Sequence, residues 1–539
     1  MKTQSDWSMH RRWSLLSVLA LGPALACGGD EQTEVSDDGS LDGTDDGSMA
    51  TEGDAATEGE QTELPDPEQG NPAQGIQIAR VEANQGTAID LTDASGAWLP
   101  AASRSGPLIT ERPTLIRAHW TLDADFSPRP ILGRLALYEG DTLVDVLESS
   151  VQVNGPPQPL TLAGAFSFQV PAESIGPDTE FSLALFEDDG SEAISDATGP
   201  RIPASGHTPL GFDATPRRMK VVLVPIEVGG VGPDMDKAAE RVHEEIYQAN
   251  PLQTLEVEVA PPRSWPQPLG AVGEAIEVVA AARAEGNAAP GDYYLGVMGD
   301  GCCAPGVGGG MGYVASDEME DGPNRIAVAK IPAGNDPVII FAHEIGHNQG
   351  LDHAPCSAPS PHIPGYPHPD CLIAAQGYGV LDGALRLEEY TFDYMSYEIG
   401  NQWTSDYVYG LNAERIAIVT AWEGTSSIVD AASSGHTLHG VRRADGSEGW
   451  WVSEGLTSTA RGEHGPAIGR APLVGEDLTL PVYAARVAHA DVELFELPWP
   501  VGLDEGELEV SLDGPAGLET VVAFERDPDD HRLRVRSPD

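Results

Sequence analysis

The sequence predicts an α/β central domain with a mostly parallel five-stranded sheet, flanked by N- and C-terminal all-β sandwich domains. Three observations carry that expectation. Between residues 217 and 425, apolar runs of strand length alternate with segments of helical period. Residues 76–210 and 426–539 instead show short alternating stretches separated by turn residues. The 539 residues also exceed one ordinary domain, and Gly 61 and Pro 44 supply many turns.

The chain starts with an export signal over residues 1–27. Lys2, Arg11 and Arg12 give a positive start, and Trp13 to Ala26 is apolar but short for a bilayer span. Ala24-Leu25-Ala26-Cys27-Gly28-Gly29 resembles a bacterial lipobox, which marks Cys27 for lipidation, although Ala24 stands where Leu is usual. A cleaved secretory signal with an incidental cysteine is the alternative. Residues 28–75 form an acidic linker without Lys or Arg, too poor in apolar surface to offset chain entropy, so disorder is expected. The Asp-Gly pattern from Asp37 to Asp46 is read as a solvated spacer. The formal net charge of −55 excludes nucleic-acid binding, which needs basic patches, and suits an exported protein kept soluble by charge.

Ile76-Gln77-Ile78, Thr114 to Trp120, Leu135 to Tyr138 and Phe181 to Phe186 give the first sandwich, residues 76–210. In the central domain, residues 217–425, Met219 to Pro225 is a continuous apolar strand. Asp234 to Asn250 follows as a helix with Met235, Ala239, Val242 and Ile246 on one stripe, stopped by Asn250-Pro251. Leu255 to Val259 is a strand, Ala271 to Glu285 a helix, and Tyr293 to Met298 a strand; two short strands follow near Gly310–Ala315 and Arg325–Lys330. The order βαβαβββ predicts a parallel sheet backed by helices, with one reversed edge strand. Asp336-Pro337 supplies an N-cap and an N1 proline for a helix running to Gly350. Leu478 to Val482 and Leu508 to Leu512 mark the last sandwich, residues 426–539.

The chemistry concentrates in His343-Glu344-Ile345-Gly346-His347-Asn348-Gln349-Gly350-Leu351-Asp352-His353. Residues four apart share a helix face, so His343 and His347 can reach one metal. Imidazole suits Zn²⁺, and catalytic zinc takes three protein ligands and leaves one position open. Glu344 beside the first histidine is placed to exchange a proton with water there. Gly350 suits a left-handed helix end, and the turn it permits returns His353 as third ligand. From the frequencies of these residue types, chance produces such a run on the order of once in ten thousand chains of this length.

This run resembles the motif of the metzincin zinc metalloproteases. Phe392-Asp393-Tyr394-Met395-Ser396-Tyr397 is similar to their Met-turn, which implies that Met395 forms an apolar floor under the metal and that Tyr397 contacts the metal or the oxyanion. The resemblance covers about residues 217–425. It implies that the edge strand Gly310-Met311-Gly312-Tyr313-Val314 binds substrate backbone by strand addition. Trp403-Thr404-Ser405-Asp406-Tyr407 looks most like secreted bacterial enzymes of the mucin-cleaving type. Glu398 stands where some relatives carry a cysteine, and Cys371 takes that place as partner of Cys356.

Without Cys27, four cysteines remain for an oxidising compartment. Cys356 and Cys371 flank one loop and make the simplest disulfide. For the adjacent Cys302 and Cys303, a vicinal bridge, two thiols, and a link into the Cys356/Cys371 loop stay open. His362 and His368 read as exposed loop histidines. Asp393 either orients a zinc ligand as an outer partner or caps a turn.

The expectation is therefore a zinc-dependent endopeptidase, monomeric, acting on extracellular proteins or glycoproteins and reaching a membrane only through the Cys27 anchor. Its location is the bacterial surface as a lipoprotein, or the medium. A surface-tethered binding protein with an inactive protease domain is the competing class; the intact ligand set and Glu344 count against it.

Overall fold

The computed structural model describes residues 64–423 apart from 191–198, 267, 271, 287, 304–308, 332–338, 357, 359–360 and 399. Beyond these it describes 436–442, 447–454, 469–474, 479–487, 492–499, 505–512, 519–526 and 533–535. The expected export signal with Cys27, the linker up to residue 63 and the residues Asp336-Pro337 lie outside the described residues; the helix expected to open at Asp336-Pro337 instead begins at Ile340, with the non-helical Ile339 at its N-cap.

The N-terminal β layer comprises β1 (Ile76–Asn84), β2 (Ala88–Asp90), β3 (Thr114–Leu122), β4 (Arg129–Glu139), β5 (Thr142–Val153), β6 (Phe166–Val170), β7 (Thr179–Glu187), β8 (Arg201–Ile202) and β9 (Thr208–Pro209). One antiparallel sheet has the order β2-β1-β3-β6; the other runs β5-β4-β7, with β8 and β9 both on β7. Val81, Ile116 and Phe166 of the first share one core with Ile131, Leu135 and Leu183 of the second. On β3 the polar Arg117 and His119, which alternation would send to solvent, are buried as well. Arg117 donates to Glu82 and to the carbonyls of Pro159 and Thr161 within the layer, and to Gln376 beyond it, so this outer face meets a later part of the chain. The β layer also starts earlier than expected. Within the supposed disordered linker, Ala73 N–H donates to Leu185 O and Asn71 O accepts from Glu187 N–H.

The central sheet is built from β10 (Arg218–Val228), β11 (Thr254–Val259), β12 (Arg263–Trp265), β13 (Tyr293–Met298), β14 (Gly310–Gly312) and β15 (Ile326–Lys330). Their order is β11-β10-β13-β15-β14, with β12 on the far end of β10. The β10, β11, β12, β13 and β15 pairs are parallel, and β14 runs antiparallel to β15. Met219, Val221 and Leu223 of β10 face a core shared with α1 (Met235–Arg241) and α3 (Ile340–Asn348). Val222, Val224 and Ile226 face the other way, onto α2 (Ile276–Glu285). A strand covered on both faces needs an unbroken apolar run, and β10 has one. Gly296 lets α2 approach closely: a Cβ there would lie 2.4 Å from Val279 Cγ2.

After α3 come β16 (Gly377–Tyr378), β17 (Leu385–Arg386), β18 (Thr391–Asp393), β19 (Asn401–Trp403) and α4 (Asp406–Thr420). The C-terminal strands are β20 (His436–Arg442), β21 (Glu448–Glu454), β22 (Gly469–Pro472), β23 (Thr479–Val487), β24 (Val492–Trp499), β25 (Glu505–Leu512), β26 (Glu519–Arg526) and β27 (Leu533–Val535). They follow the antiparallel path β21-β20-β24-β23-β22-β25-β26-β27. Val441 and Leu494 from this path join the core under α2.

The α/β class expected from the sequence is overturned. Among the described residues strand makes up 40% and helix 19%, and several of the sheets are antiparallel, so the described chain is mostly β. The physical reason lies in element length. The long antiparallel strands of the flanks dominate, whereas α1 and α2 are short: α1 passes into a π-turn at Val242–Tyr247, and α2 starts as a 3₁₀ turn at Val272–Ala275.

Candidate metal centre

His343 and His347 project from one face of α3, and the helix end explains how His353 joins them. Gly350 stands at φ 83 directly after Gln349, the C-cap. Gly350 N–H donates to His347 O and Leu351 N–H to Gly346 O, the two bonds of a Schellman end. The reversed chain then carries His353 to the same point. The ligand atoms of His343, His347 and His353 all lie within 4.8 Å of one another.

The tautomers follow from the hydrogen bonds. His343 Nδ1 is 2.6 Å from Tyr394 O, and His347 Nδ1 is 2.7 Å from Leu351 O. A carbonyl oxygen only accepts, so Nδ1 carries the proton and Nε2 the lone pair in each ring. Burial lowers His343 to about 4, although its bond to Tyr394 opposes this, so the ring is neutral at pH 7. Three imidazoles on one point, two of them with Nε2 freed as ligand atom by outer carbonyls on Nδ1, are a donor set that fits Zn²⁺.

Glu344 is 2% exposed, and burial raises its carboxyl well above the usual range, with Gly312 N–H opposing. Its Oε2 has no hydrogen-bond partner among the described residues. Strand β14 lies directly against it. A Cβ at Gly310 would be 2.6 Å from Glu344 Cγ, and one at Gly312 would be 2.4 Å from Glu344 O. The Gly-Met-Gly sequence is thus what brings the sheet edge onto the metal helix.

Met395 is fully buried. A Cβ at Gly346 would meet its Sδ at 2.6 Å, so Met395 packs directly against α3 at Gly346. Asp393 shapes this turn: Oδ1 accepts from Met395 N–H at 2.8 Å and Oδ2 from Ser405 N–H at 3.0 Å. Burial pushes its carboxyl up to about 6, which these bonds oppose. The capping role is the one its geometry displays. The Tyr397 ring centre is 4.7 Å from that of His353 and 6.0 Å from that of His343. Burial, with Glu344 adding to it, raises the phenol.

Cys356 and Cys371 form one disulfide, Cα–Cα 5.9 Å, and Cys302 and Cys303 form a vicinal one. The histidines of the bridged loop are half-buried and not exposed as expected, because each has a partner there. His362 Nε2 is 3.2 Å from Ala358 O, and His368 Nε2 is 2.7 Å from Asp406 Oδ1. Neither is in the three-histidine cluster.

Sequence reasoning passed over Glu245, on the π-turn after α1. Its carboxylate accepts from the first amides of α3, Phe341 N–H at 2.7 Å and Ala342 N–H at 3.4 Å. The only local signal is Arg241 four residues earlier, an i,i+4 charge pair that usually marks a solvated face.

No family model matches the chain, and no curated protein does. Among solved structures, a Bacteroides fragilis protein described as a candidate β-galactosidase is 10% identical, with a TM-score of 0.13 over 84% of this chain and 73% of that one. A calcium-binding mutant of a Bacteroides uniformis β-glucuronidase is 9% identical, with a TM-score of 0.12 over 86% and 65%. Likeness at that level carries no argument about fold or chemistry, and the side chains around His343, His347 and His353 remain the ground for a functional reading.

Proposed function

We propose that this chain is an exported zinc-dependent endopeptidase of metzincin type, monomeric, acting on extracellular proteins. The observation that carries the reading is the convergence of His343, His347 and His353, the first two with fixed tautomers, beside a buried Glu344 whose Oε2 has no hydrogen-bond partner among the described residues. When bound by the three Nε2 atoms, zinc would supply Lewis acidity toward a scissile carbonyl and an attacking water. Glu344 Oε2 takes the proton of that water and delivers it to the leaving amine nitrogen. Tyr397 stands beside His353, where its hydroxyl can donate to the developing oxyanion. The edge of β14 is where an extended substrate would add as a strand.

Among the described residues no helix is long and apolar enough to cross a membrane. Two disulfides are compatible with an extracellular protein. We place the chain at the bacterial surface by lipidation of Cys27, with membrane contact through that anchor alone.

The test is Glu344→Gln in the full chain. It should keep about one zinc per chain and lose casein cleavage by at least about a thousandfold, in line with loss of a general base together with its charge. Cleavage within a few-fold of the parent, or a parent unaffected by chelation, would overturn the reading.

A further inference from the structure

Helix α3 begins without help from its own N-cap. Ile339 holds that position and makes no side-chain cap bond. The first amides of a helix have no intrahelical acceptor, and when buried they need one from elsewhere. Here it comes from Glu245, 96 residues away in sequence: Oε2 accepts from Phe341 N–H and Ala342 N–H. The other oxygen accepts from Arg241 Nε at 2.5 Å. Both side chains of the pair are buried, at 2% and 9% exposure, so this is an interior contact and not a surface pair.

The helix that presents Glu245 is itself held at its end by another part of the chain. Its closing carbonyls at Tyr247 and Gln248, and that of Leu252 just beyond, accept from the fully buried guanidinium of Arg112 at 2.8–3.0 Å. Arg112 belongs to the N-terminal β layer, where its Nε donates to Gln85 O. The segment bearing Glu245 is a π-turn. Its wider turn re-phases the helix and tends to occur where a side chain must be aimed. Hydrogen bonds thus tie the β layer through Arg112 to the end of this helix, and Glu245, a turn earlier on the same helix, ties it to the two residues before His343.

We propose that Glu245 is the positioning residue of the metal helix: aligned by Arg241 and by the Arg112-capped helix end, its carboxylate fixes the start of α3 and thereby the direction of His343 and Glu344. Its consequence for catalysis rests on the peptidase reading; its hold on α3 does not.

Three full-length variants test it: Glu245→Gln, which keeps an acceptor, Glu245→Leu, which removes it, and Arg241→Met with Glu245→Leu, which also removes the stranded cation. Amide exchange at Phe341 and Ala342, the zinc dissociation constant by chelator competition, and kcat and KM on a casein peptide are measured. Glu245→Leu should speed exchange at those two amides by about a hundredfold, as expected for a lost buried bond. It should weaken zinc about tenfold and lower kcat about tenfold with KM within about twofold, the pattern of misdirected groups. Glu245→Gln should stay close to the parent. The double variant should recover the thermal midpoint but neither zinc affinity nor kcat, and it carries the measurement if Glu245→Leu does not fold. Unchanged exchange at Phe341 and Ala342 would overturn the proposal. So would a double variant with parental zinc affinity and kcat, since Glu245 would then serve only to neutralise Arg241. If the parent neither binds zinc nor cleaves, the peptidase reading falls while the exchange data still decide the role of Glu245.

Discussion

At the scale of single residues, the site is set by atoms that are missing as much as by those present. Gly346 sits inside α3, where glycine costs about 1 kcal/mol against alanine. It is retained against that cost because Met395 Sδ and Tyr394 Cε2 occupy the space a Cβ would need, at 2.6 and 3.1 Å. Overpacking of a filled core costs about 1–3 kcal/mol, so the clash outweighs the helical gain. Gly346→Ala should therefore destabilise the chain by about 1 kcal/mol in urea unfolding. In a Met395→Ala background the same substitution should cost less or become neutral, because the Sδ contact has gone and only Tyr394 Cε2, at 3.1 Å, still opposes the helical gain. Additive effects of the two changes would show that Met395 does not press on the helix.

At the scale of elements, legibility tracks sequence distance. The α3 face, its left-handed end at Gly350 and the return of His353 were readable because an i,i+4 pair and a glycine express them within eleven residues. The role of Met395 was legible only by resemblance. The N-terminal cap of α3 was not legible, since its acceptor, Glu245, belongs to another helix and leaves no period in the sequence around residue 340. The start of α1 at its Asp234 cap was readable; its passage into a π-turn was not, as nothing local to Val242–Tyr247 announces one. This pairing has a pH signature. Burial pushes the Glu245 carboxyl up to about 7 from an ordinary 4.5, with Arg241 opposing. The folded state then keeps a proton that the unfolded chain has released. Its contribution to stability is full below about pH 4.5 and is lost as the pH rises through 7. Urea midpoints of the parent should accordingly decline between those values relative to Glu245→Gln, whose amide does not titrate. Parallel curves for the two proteins across pH 4 to 8 would refute this.

At the scale of the whole molecule, the expected boundary near residues 210–217 is crossed by bonds too buried to be incidental. Asn84 Nδ2 and Ala88 N–H both donate to Gln376 O, and Trp403 Nε1–H donates to Gly86 O at 2.7 Å. Arg112 alone donates to four carbonyls, three of them on the far side of that boundary. Hydropathy alternation marks β1 and β3 as strands but is blind to what covers their outer faces, which is why the bonds that cross this boundary leave no trace in the sequence pattern. A buried carbonyl left without a donor costs about 1–3 kcal/mol, less where water reaches it. Arg112→Met should then destabilise by about 3 kcal/mol or more, and the loss should fall on both sides of the boundary. Calorimetry of the parent should show the β layer and the central sheet unfolding in one transition, and Arg112→Met should lower it by several degrees or split it in two. Amide exchange in β3 and β10 assigns the transitions: the variant should open both strands more often. Faster exchange confined to β3, with β10 as protected as in the parent, would mean that the β layer is an appendage and does not brace the metal helix.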